Sequence, residues 1–491
     1  MSESKRLDTH INRGVAWTAA SQTIVAVADL ISVLICMRWM GEVKYGIAMM
    51  AVPLYSILDA VSDLGGTSAL IAHDDHTPER LSSLFWFNVL LSVGLFALLG
   101  LLGPLYGLFQ GHRVVGFLLL AYGGKLLLQN LYAVPLALLR KELHFEEVAK
   151  LRTVAYLAES ITRPIFVATG LAIWSFTLAA LAKHVMFALL FLWRHPYKPK
   201  LVFHWADIAH YVHFGLRSGV SQVLYYTYTN VDYVVVGYYF GPAANGIYSL
   251  AYWIVLEAVK TIANVVIDVA LPTFARLRSD PPALVAQFIR LTRLNMIAVL
   301  PFVVLIVLIV PEFLTLAYGG GKWSAPQLAV CADAARILCV VGLLRALGFI
   351  GPPLLDGIGR PELTLRYMVV ATITVPGCFL LGANLLGDRL GLLSVAVAWA
   401  VGYPIAFAIL LWVISKTVNL PVAQYGKAAL GILGCAAIGL VLGLAADVLT
   451  RHAHDGLRIA VISAAALIGT FGALAIWQHV TPRAVIRSMS G

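Results

Sequence analysis

The chain has 491 residues, of which 60% are hydrophobic and 12% are charged, and its formal net charge is +10. Soluble domains are about half apolar and about a quarter charged, so this composition excludes a soluble enzyme, a disordered protein and a coiled coil. In a chain this apolar, excess Lys and Arg mark cytoplasmic loops more often than a nucleic-acid surface. The composition predicts a multi-pass membrane protein without a nucleic-acid partner.

Apolar segments recur along the whole chain, separated by charged or Gly- and Pro-containing breaks. In the first part of the chain they predict spans at 14–38, 46–72, 83–109, 114–139, 153–174 and 175–193. The series continues at 211–237, 246–272, 294–316, 327–352, 364–386, 390–414, 424–447 and 457–480. Since a spanning helix needs about 20 apolar residues, the sequence predicts an all-α polytopic fold with about fourteen spans.

The distribution of Lys and Arg predicts the orientation of the chain. With a cytoplasmic N-terminus, the cytoplasmic tails and loops hold about three times as many basic residues as the opposite side. This bias fits an even number of spans and two cytoplasmic termini. The first apolar segment is too long for the apolar region of a cleaved signal, so it is predicted to remain as a span.

A repeat is visible at an offset of 200 residues. Ser21-Gln22 recurs as Ser221-Gln222. The connector from Gly41 to Gly46 recurs from Gly241 to Gly246, each time between two spans. Because glycine permits positive φ and close backbone approach, both connectors are predicted to form tight turns between helices.

The repeat predicts how the chain is divided. Six spans separate equivalent positions, so both repeat units begin on the same side of the membrane. We expect two pseudo-symmetric six-helix lobes around a central cavity, an arrangement that suits alternating access. The predicted divisions are a cytoplasmic tail at 1–13, an N-terminal lobe at 14–200, a C-terminal lobe at 201–415, and two additional helices with a cytoplasmic tail at 416–491.

Ionisable side chains inside the predicted spans are costly, at about 2.5–3.5 kcal/mol or more each at mid-membrane. Three pairs have helical spacing, namely Glu159 with Arg163, Glu257 with Lys260 and Asp333 with Arg336. Residues three or four apart lie on one helix face and can neutralise each other. Each pair is therefore either a structural salt bridge or a cavity-lining pair that opens to bind a substrate or a proton.

Other charges inside the spans have no opposite charge at this spacing. Lys125 and Lys183 lie near the middle of the fourth and sixth spans, and Arg345 lies in the tenth. They are predicted to be unpaired cations that line the cavity. Asp29 and Asp59 lie in the first two spans. They could hold a coupling cation or proton, or they could partner Lys125 or Lys183 across helices.

Aromatic and amide side chains accumulate in the seventh predicted span. Tyr225 and Tyr228 are three residues apart, with Gln222 and Asn230 nearby. Tyrosine rings carry an apolar face and a polar hydroxyl. This set is either a stripe that contacts sugar or a packing surface within the lobe.

Sequence motifs for catalysis and nucleotide binding, such as HExxH, GxSxG or a Walker sequence, are absent. The five cysteines form no CxxC pair. The sequence therefore predicts no catalytic residues, no metal site and no cofactor, and it favours a transporter over an enzyme. Uphill transport would draw on an ion gradient or on consumption of the substrate downstream.

Three stretches, in their order and spacing, resemble a known family. The first runs from Gly14 to Gly46, and the second is a basic, Phe-containing loop at Leu139–Phe145. The third joins Tyr318–Pro326 to Gly357–Pro361. On these residues the chain resembles the polysaccharide transporter (WzxC-like) family of the multidrug/oligosaccharidyl-lipid/polysaccharide exporter superfamily.

The resemblance implies a flippase for undecaprenyl-diphosphate-linked oligosaccharide in a bacterial cytoplasmic (inner) membrane, serving O-antigen or exopolysaccharide biosynthesis. The expected partners are membrane lipids, a polysaccharide polymerase and chain-length machinery. Transport is expected to be coupled to H⁺ or Na⁺. A diphosphate needs cations in a low-dielectric cavity. The candidates are Lys125, Lys183 and Arg345, with Arg163, Lys260 and Arg336 as further ones.

The sequence leaves three alternatives to the flippase function. A cation-coupled multidrug exporter of the same superfamily would have an acidic and apolar cavity. A membrane-embedded glycosyltransferase or polymerase would need a large extracytoplasmic loop with catalytic groups, which the spacing of the spans leaves no room for. A scaffold without transport activity is disfavoured by the cations inside the spans.

Overall fold

The structure is a computed structural model that describes residues 3–62, 77–142, 144–194 and 198–478. Within these ranges, every regular element is helical. The helices of the first part are α1 (Glu3–Met40), α2 (Glu42–Met50), α3 (Val52–Ser62), α4 (Pro78–Phe109), α5 (Arg113–Lys141), α6 (Phe145–Ala168) and α7 (Ser175–Arg194). A 3₁₀ turn at Ala172–Trp174 leads into α7.

The second part begins with α8 (Trp205–Tyr252), which a π-helical turn at Trp253–Glu257 joins to α9 (Ala258–Leu277). The remaining helices are α10 (Pro281–Tyr318), α11 (Ala325–Gly348), α12 (Gly351–Gly357), α13 (Pro361–Leu390), α14 (Leu393–Val418), α15 (Val422–Leu449) and α16 (Asp455–Trp477). The all-helical expectation is confirmed for the part of the chain that the structure describes.

Eleven of the described helical segments are long and apolar enough to cross a membrane, so the protein is a multi-pass membrane protein. Helices also occupy the three remaining predicted spans, at α6 and in the continuous stretch from α8 to α9. The total of fourteen spans stays a prediction. Residues 63–72 of the second predicted span and 479–480 of the last lie outside the described residues.

Helix starts follow local signals in the sequence. Thr77 caps α4, where its hydroxyl accepts a hydrogen bond from the Arg80 amide. Asp280 caps α10, where its carboxylate accepts a hydrogen bond from the Ala283 amide. Each is followed by a proline, whose missing N–H is not needed in the first turn. Ser324 begins α11 with a capping box that also uses Gln327. These caps satisfy backbone donors that would otherwise lack partners.

The chain forms two compact units, Met1–Gly246 and Ile247–Gly491. In the first unit, α6 packs between α1 and α7, and α5 packs against α4, α7 and α3. In the second unit, α10 packs against α9, α11, α15 and α16, and α14 packs against α11 and α13. The lobe boundaries at 14–200, 201–415 and 416–491 stay predictions.

An apolar cluster in the first unit fixes α5 against its neighbours. Leu99 of α4 and Leu118 and Leu126 of α5 are fully buried in it, together with Met50 of α2. Close packing of this kind determines the rotation of each helix about its own axis. The rotation of α5 in turn places Lys125, which directly precedes Leu126, inside the first unit.

Candidate functional site

Lys125 of α5 lies beside the carboxylate of Asp59 on α3. Its Nζ donates to Asp59 Oδ1 at 2.9 Å, and 9% of the lysine side chain is exposed. The Nζ also lies 4.6 Å from the centre of the Tyr55 ring, which stacks on Tyr122 at 4.2 Å. The lysine is therefore held by one carboxylate and one aromatic face.

Arg163 of α6 contacts two carboxylates from two helices. Its Nη1 donates to Asp29 Oδ1 of α1 at 2.8 Å, and its Nη2 lies 3.3 Å from Glu159 Oε1 one turn earlier on α6. The guanidinium lies 5.0 Å from the centre of the Phe176 ring at the start of α7. Arg163 thus links α1, α6 and α7.

Lys183 of α7 uses the other oxygen of the same glutamate. Its Nζ lies 2.6 Å from Glu159 Oε2 and 4.8 Å from the centre of the Tyr156 ring. The carboxylate of Glu159 therefore bridges Arg163 and Lys183, with one oxygen on each cation. A phosphate group with two free oxygens can bridge two cations in the same manner.

These contacts join Asp29, Arg163, Glu159 and Lys183 in one chain and Lys125 with Asp59 in a separate pair. Lys125 also lies within electrostatic range of Glu159 and Lys183, and we call the whole set the charge network. Its members are Asp29, Asp59, Lys125, Glu159, Arg163 and Lys183. Among the described residues, it holds three cations and three carboxylates. The cations are 6–15% exposed and Glu159 is 13% exposed, whereas Asp59 is 34% and Asp29 is 41% exposed. Lys125 and Arg163 are thus buried and Lys183 is largely buried, whereas Asp59 and Asp29 remain accessible.

Burial makes the charge network energetically demanding. Removing one partner of a buried ion pair costs about 3–5 kcal/mol, because the remaining charge loses its compensation. Charges in such surroundings also interact more strongly than in water. The charge network is therefore a place where an incoming anion can interact strongly, provided that it replaces a carboxylate.

His184 follows Lys183 in α7 and lies on the inner side of the helix. Its Nδ1 forms a 2.8 Å hydrogen bond with the Tyr132 hydroxyl of α5, and both side chains are buried. Tyr132 also packs against Phe187 and Phe191. This contact joins α5 to α7 and supports the position of Lys183.

Arg345 of α11 is a buried cation in the second unit, with 2% of the residue exposed. Its Nη1 donates to the Tyr252 hydroxyl at 3.2 Å, next to the π-helical turn. The guanidinium lies 5.4 Å from the centre of the Phe349 ring and 5.6 Å from that of Trp399. Aromatic faces therefore stabilise this charge.

The two other cation candidates of the second unit lie in the pairs that helical spacing predicts. Lys260 Nζ is 3.8 Å from Glu257 Oε2, and Arg336 Nη1 is 4.0 Å from Asp333 Oδ1. The Arg336 Nε also donates to the Val307 carbonyl at 3.2 Å. These side chains are 28–58% exposed, so their pairs resemble surface ion pairs more than the charge network does.

The aromatic stripe on α8 is only partly accessible. Tyr225 and Tyr228 form an edge-to-face pair at 5.6 Å, and Tyr228 is buried. The Asn230 amide donates to the Tyr226 carbonyl at 2.8 Å, whereas Gln222 is exposed. Burial of Tyr228 favours packing for that residue, whereas Gln222 is exposed and Tyr225 and Asn230 are half-buried.

The repeated connectors have nearly the same backbone conformation. Gly41 has φ 77° and ψ 165°, and Gly241 has φ 79° and ψ −179°. Both lie in a region that side-chain-bearing residues avoid, which confirms the predicted need for glycine. At Gly241 the resulting break divides α8 into two helical pieces.

The second glycine of each connector permits a reciprocal close approach within the first unit. A Cβ added to Gly46 would lie 1.8 Å from the Pro242 carbonyl oxygen, and one added to Gly246 would lie 2.0 Å from the Glu42 carbonyl oxygen. The buried Asn245 amide donates to the Gly46 carbonyl at 2.9 Å. The predicted close backbone approach is confirmed, and we call this contact the glycine crossing.

Packing changes two interpretations drawn from the sequence. Lys125 and Lys183 are not unpaired cations, because α3 and α6 bring Asp59 and Glu159 against them. Asp59 partners Lys125, as one alternative predicted, but Asp29 partners Arg163. Helical spacing did predict the contact between Glu159 and Arg163, but no signal in the sequence indicated the second contact of Glu159.

Comparison with known proteins places the chain among membrane proteins of polysaccharide biosynthesis. The family described as "Polysaccharide biosynthesis protein" matches residues 35–326. The teichuronic acid biosynthesis protein TuaB of Bacillus subtilis is 25% identical over 461 residues, which cover 93% of each chain. The lipopolysaccharide biosynthesis protein WzxC of Escherichia coli is 24% identical over 398 residues, or 78% of each chain.

The fold also resembles that of a solved structure. The lipid II flippase MurJ, in an inward closed conformation, superposes with a TM-score of 0.72 at 14% sequence identity, covering 94% of this chain and 98% of MurJ. The family match covers more than half of the 491 residues. The protein therefore belongs to the polysaccharide biosynthesis protein family.

Proposed function

We propose that the protein is a flippase that moves undecaprenyl-diphosphate-linked oligosaccharide across the bacterial cytoplasmic (inner) membrane for O-antigen or exopolysaccharide biosynthesis. Its family membership supports a role in polysaccharide production. The likeness of its fold to that of a lipid II flippase supports a lipid-linked substrate. The protein acts as a transporter, not as an enzyme.

The observation that carries the proposal is the set of buried cations in the first unit. Lys125, Arg163 and Lys183 lie on three neighbouring helices, and each already binds a carboxylate oxygen. The same donors can bind phosphate oxygens in charge-assisted hydrogen bonds. Lys125, Lys183 and Arg345 are the first choices for diphosphate contacts, and Arg163, Lys260 and Arg336 are further candidates.

The sugar portion of the substrate is proposed to contact the stripe on α8. Gln222, Tyr225, Tyr228 and Asn230 offer the amide groups and aromatic faces that sugars bind. The exposed Gln222 is the strongest candidate of this set, and the buried Tyr228 is the weakest. The prenyl chain remains in the membrane lipid.

Transport is proposed to proceed by alternating access between the lobes at 14–200 and 201–415, with both termini in the cytoplasm. Asp29 and Asp59 are the candidates for coupling to H⁺ or Na⁺, because they are the accessible carboxylates of the charge network. A polysaccharide polymerase and chain-length machinery are the proposed partners, since they would consume the translocated substrate.

The multidrug-exporter alternative has weaker support, because the matched family and the two sequence relatives belong to polysaccharide biosynthesis. A drug exporter would bind cationic dyes, and the loss of lysines would not weaken that binding. The flippase proposal leads to the opposite expectation, since its substrate is an anion.

A leaflet-transfer assay tests the proposal. The purified protein is reconstituted into vesicles that contain a fluorescent lipid-linked oligosaccharide, and a membrane-impermeant quencher reports how much of it is accessible outside. The wild-type protein should accelerate transfer between leaflets. Lys183→Ala should slow it about tenfold, as expected for the loss of one charge-assisted contact while Arg163 still neutralises Glu159.

The matched control for this variant is Arg194→Ala. Arg194 lies at the end of α7, where it pairs with Glu147 on an exposed surface. Exposed ion pairs contribute about 0–1 kcal/mol, so this variant should transfer the substrate at the wild-type rate. Absence of transfer by the wild-type protein would refute the flippase proposal, and equal rates for both variants would remove Lys183 from the site.

A further inference from the structure

Glu159 occupies a position that the proposed diphosphate contact also requires. Its two carboxylate oxygens lie 3.3 Å from Arg163 and 2.6 Å from Lys183, so it holds both cations at once. A phosphate of the substrate can reach these two cations together only after Glu159 has moved away. The carboxylate and the substrate therefore compete for the same donors.

Charged or titratable groups surround Glu159 from α1, α5 and α7, the helices that pack against α6. Asp29 and Cys36 of α1 lie around Arg163, and Lys125 and Tyr122 of α5 are within electrostatic range of Glu159. Lys183 contacts it from α7, and the neighbouring His184 lies within electrostatic range of Lys183 and Lys125. Arg163 lies on α6 itself, and the 3₁₀ turn at 172–174 carries no titratable side chain.

Burial distinguishes Glu159 from the two aspartates. Only 13% of the Glu159 side chain is exposed, compared with 34% for Asp59 and 41% for Asp29. A displaced aspartate can be hydrated and stay ionised. A carboxylate displaced inside the protein, without a cation and with little contact to water, takes up a proton instead.

The charge balance requires the same response. The charge network holds three cations and three carboxylates among the described residues, so a bound diphosphate adds uncompensated negative charge. Protonation of one carboxylate removes one negative charge. Uncompensated charge is costly in a low-dielectric interior, so anion binding and proton uptake favour each other.

We infer that Glu159 is an intramolecular competitor of the substrate diphosphate, and that it takes up a proton from the solvent when the diphosphate displaces it from Arg163 and Lys183. This inference rests on the proposed function, because it assumes that the diphosphate binds these cations. It makes proton uptake a part of substrate binding. The proton binds one oxygen of the displaced carboxylate, and no other covalent bond forms or breaks.

The test measures binding of farnesyl-diphospho-N-acetylglucosamine to the full-length protein by calorimetry, in buffers with different ionisation enthalpies. Both phosphates of this probe are diesters without a proton that titrates near neutral pH, so any proton taken up belongs to the protein. Wild-type protein should take up about one proton per bound probe, and its Kd should rise about tenfold per pH unit. Glu159→Gln should bind the probe more tightly at pH 8 and should lose both the proton uptake and this pH dependence.

The matched control is Glu146→Gln, on the same helix. Glu146 pairs with Lys150 at 2.8 Å on an exposed surface, so this variant should behave like the wild type. If Glu159→Gln does not give folded protein, Asp29→Asn and Asp59→Asn decide the question. Proton uptake in both would support Glu159, and its loss in either would refute the inference.

The outcomes also separate this inference from the proposed function. Binding without proton uptake by the wild-type protein, or proton uptake that persists in Glu159→Gln, refutes the role of Glu159 and leaves the diphosphate site intact. No binding of the probe at any pH refutes the diphosphate site itself, and the role of Glu159 fails with it.

Discussion

Replacing Lys125 with alanine should abolish polymer export without lowering the amount of protein in the membrane. The variant removes a buried cation and leaves the carboxylate of Asp59 without its 2.9 Å contact. The ionised carboxylate of Asp59 would then repel the diphosphate. Transport should therefore fall about hundredfold, because one charge-assisted contact is lost and one repulsion is added. Polymer export by a complemented deletion strain and the leaflet-transfer assay both measure this effect.

The expected effect of Lys125→Ala exceeds that of Lys183→Ala for a structural reason. Glu159 keeps Arg163 when Lys183 is lost, whereas Lys125→Ala removes the 2.9 Å ion pair of Asp59. At 34% exposure, Asp59 can be hydrated, so the variant should still fold. Unchanged export by Lys125→Ala would remove this lysine from the diphosphate site.

Two further variants identify the cause of the loss. Lys150→Ala removes a lysine from an exposed pair with Glu146 on α6 and should leave export unchanged. The double variant Lys125→Ala with Asp59→Asn removes the lysine together with the repelling carboxylate, so it should regain part of the export. A double variant as inactive as Lys125→Ala would show that repulsion by Asp59 is not part of the loss.

Substitution of Gly46 by alanine should strongly destabilise the protein. The added Cβ would lie 1.8 Å from the Pro242 carbonyl oxygen, which belongs to rigid backbone, so the two helices would have to move apart. This separation of the helices would also weaken the 2.9 Å hydrogen bond from the Asn245 side-chain amide to the Gly46 carbonyl. We expect a loss of about 3 kcal/mol or more, read as a lower melting temperature of the purified protein.

Two further glycine-to-alanine variants test the same prediction, one at the other glycine of the glycine crossing and one outside it. Gly246→Ala should destabilise the protein to a similar extent, because its Cβ would lie 2.0 Å from the Glu42 carbonyl oxygen. Gly94 lies in α4 with no atom within 4 Å of an added Cβ. Gly94→Ala should therefore stabilise the helix, by up to about 1 kcal/mol. If Gly46→Ala and Gly94→Ala melt at the same temperature, the close approach at Gly46 contributes nothing to stability.

Local features of the protein could be predicted because they depend on neighbouring residues. Hydropathy indicated the spans, and caps such as Thr77 and Asp280 mark where helices begin. The spacing of Glu159 and Arg163 predicted their contact, since residues four apart share a helix face. The repeated glycines predicted positive φ at Gly41 and Gly241.

The partners of Lys125 and Lys183 could not be assigned from spacing, because they come from other helices, and Asp59 was only one of several alternatives for Lys125. Asp59 precedes Lys125 by 66 residues, and nothing in that separation indicates a contact. The same holds for Asp29 and Arg163, which are 134 residues apart. The sequence left open whether each aspartate binds a coupling ion or a basic side chain. The structure shows a basic partner for both, and coupling to an ion stays a prediction.

The sequence by itself determined that the chain is an all-helical membrane protein and which charges lie inside its apolar segments. These properties follow from hydropathy and from interactions within one or two helical turns. Only the tertiary structure decided that Glu159 bridges Arg163 and Lys183 and that Lys125 pairs with Asp59. The physical reason is that such contacts depend on how packed helices are rotated about their axes, which the fit of side chains from distant segments sets and local spacing does not.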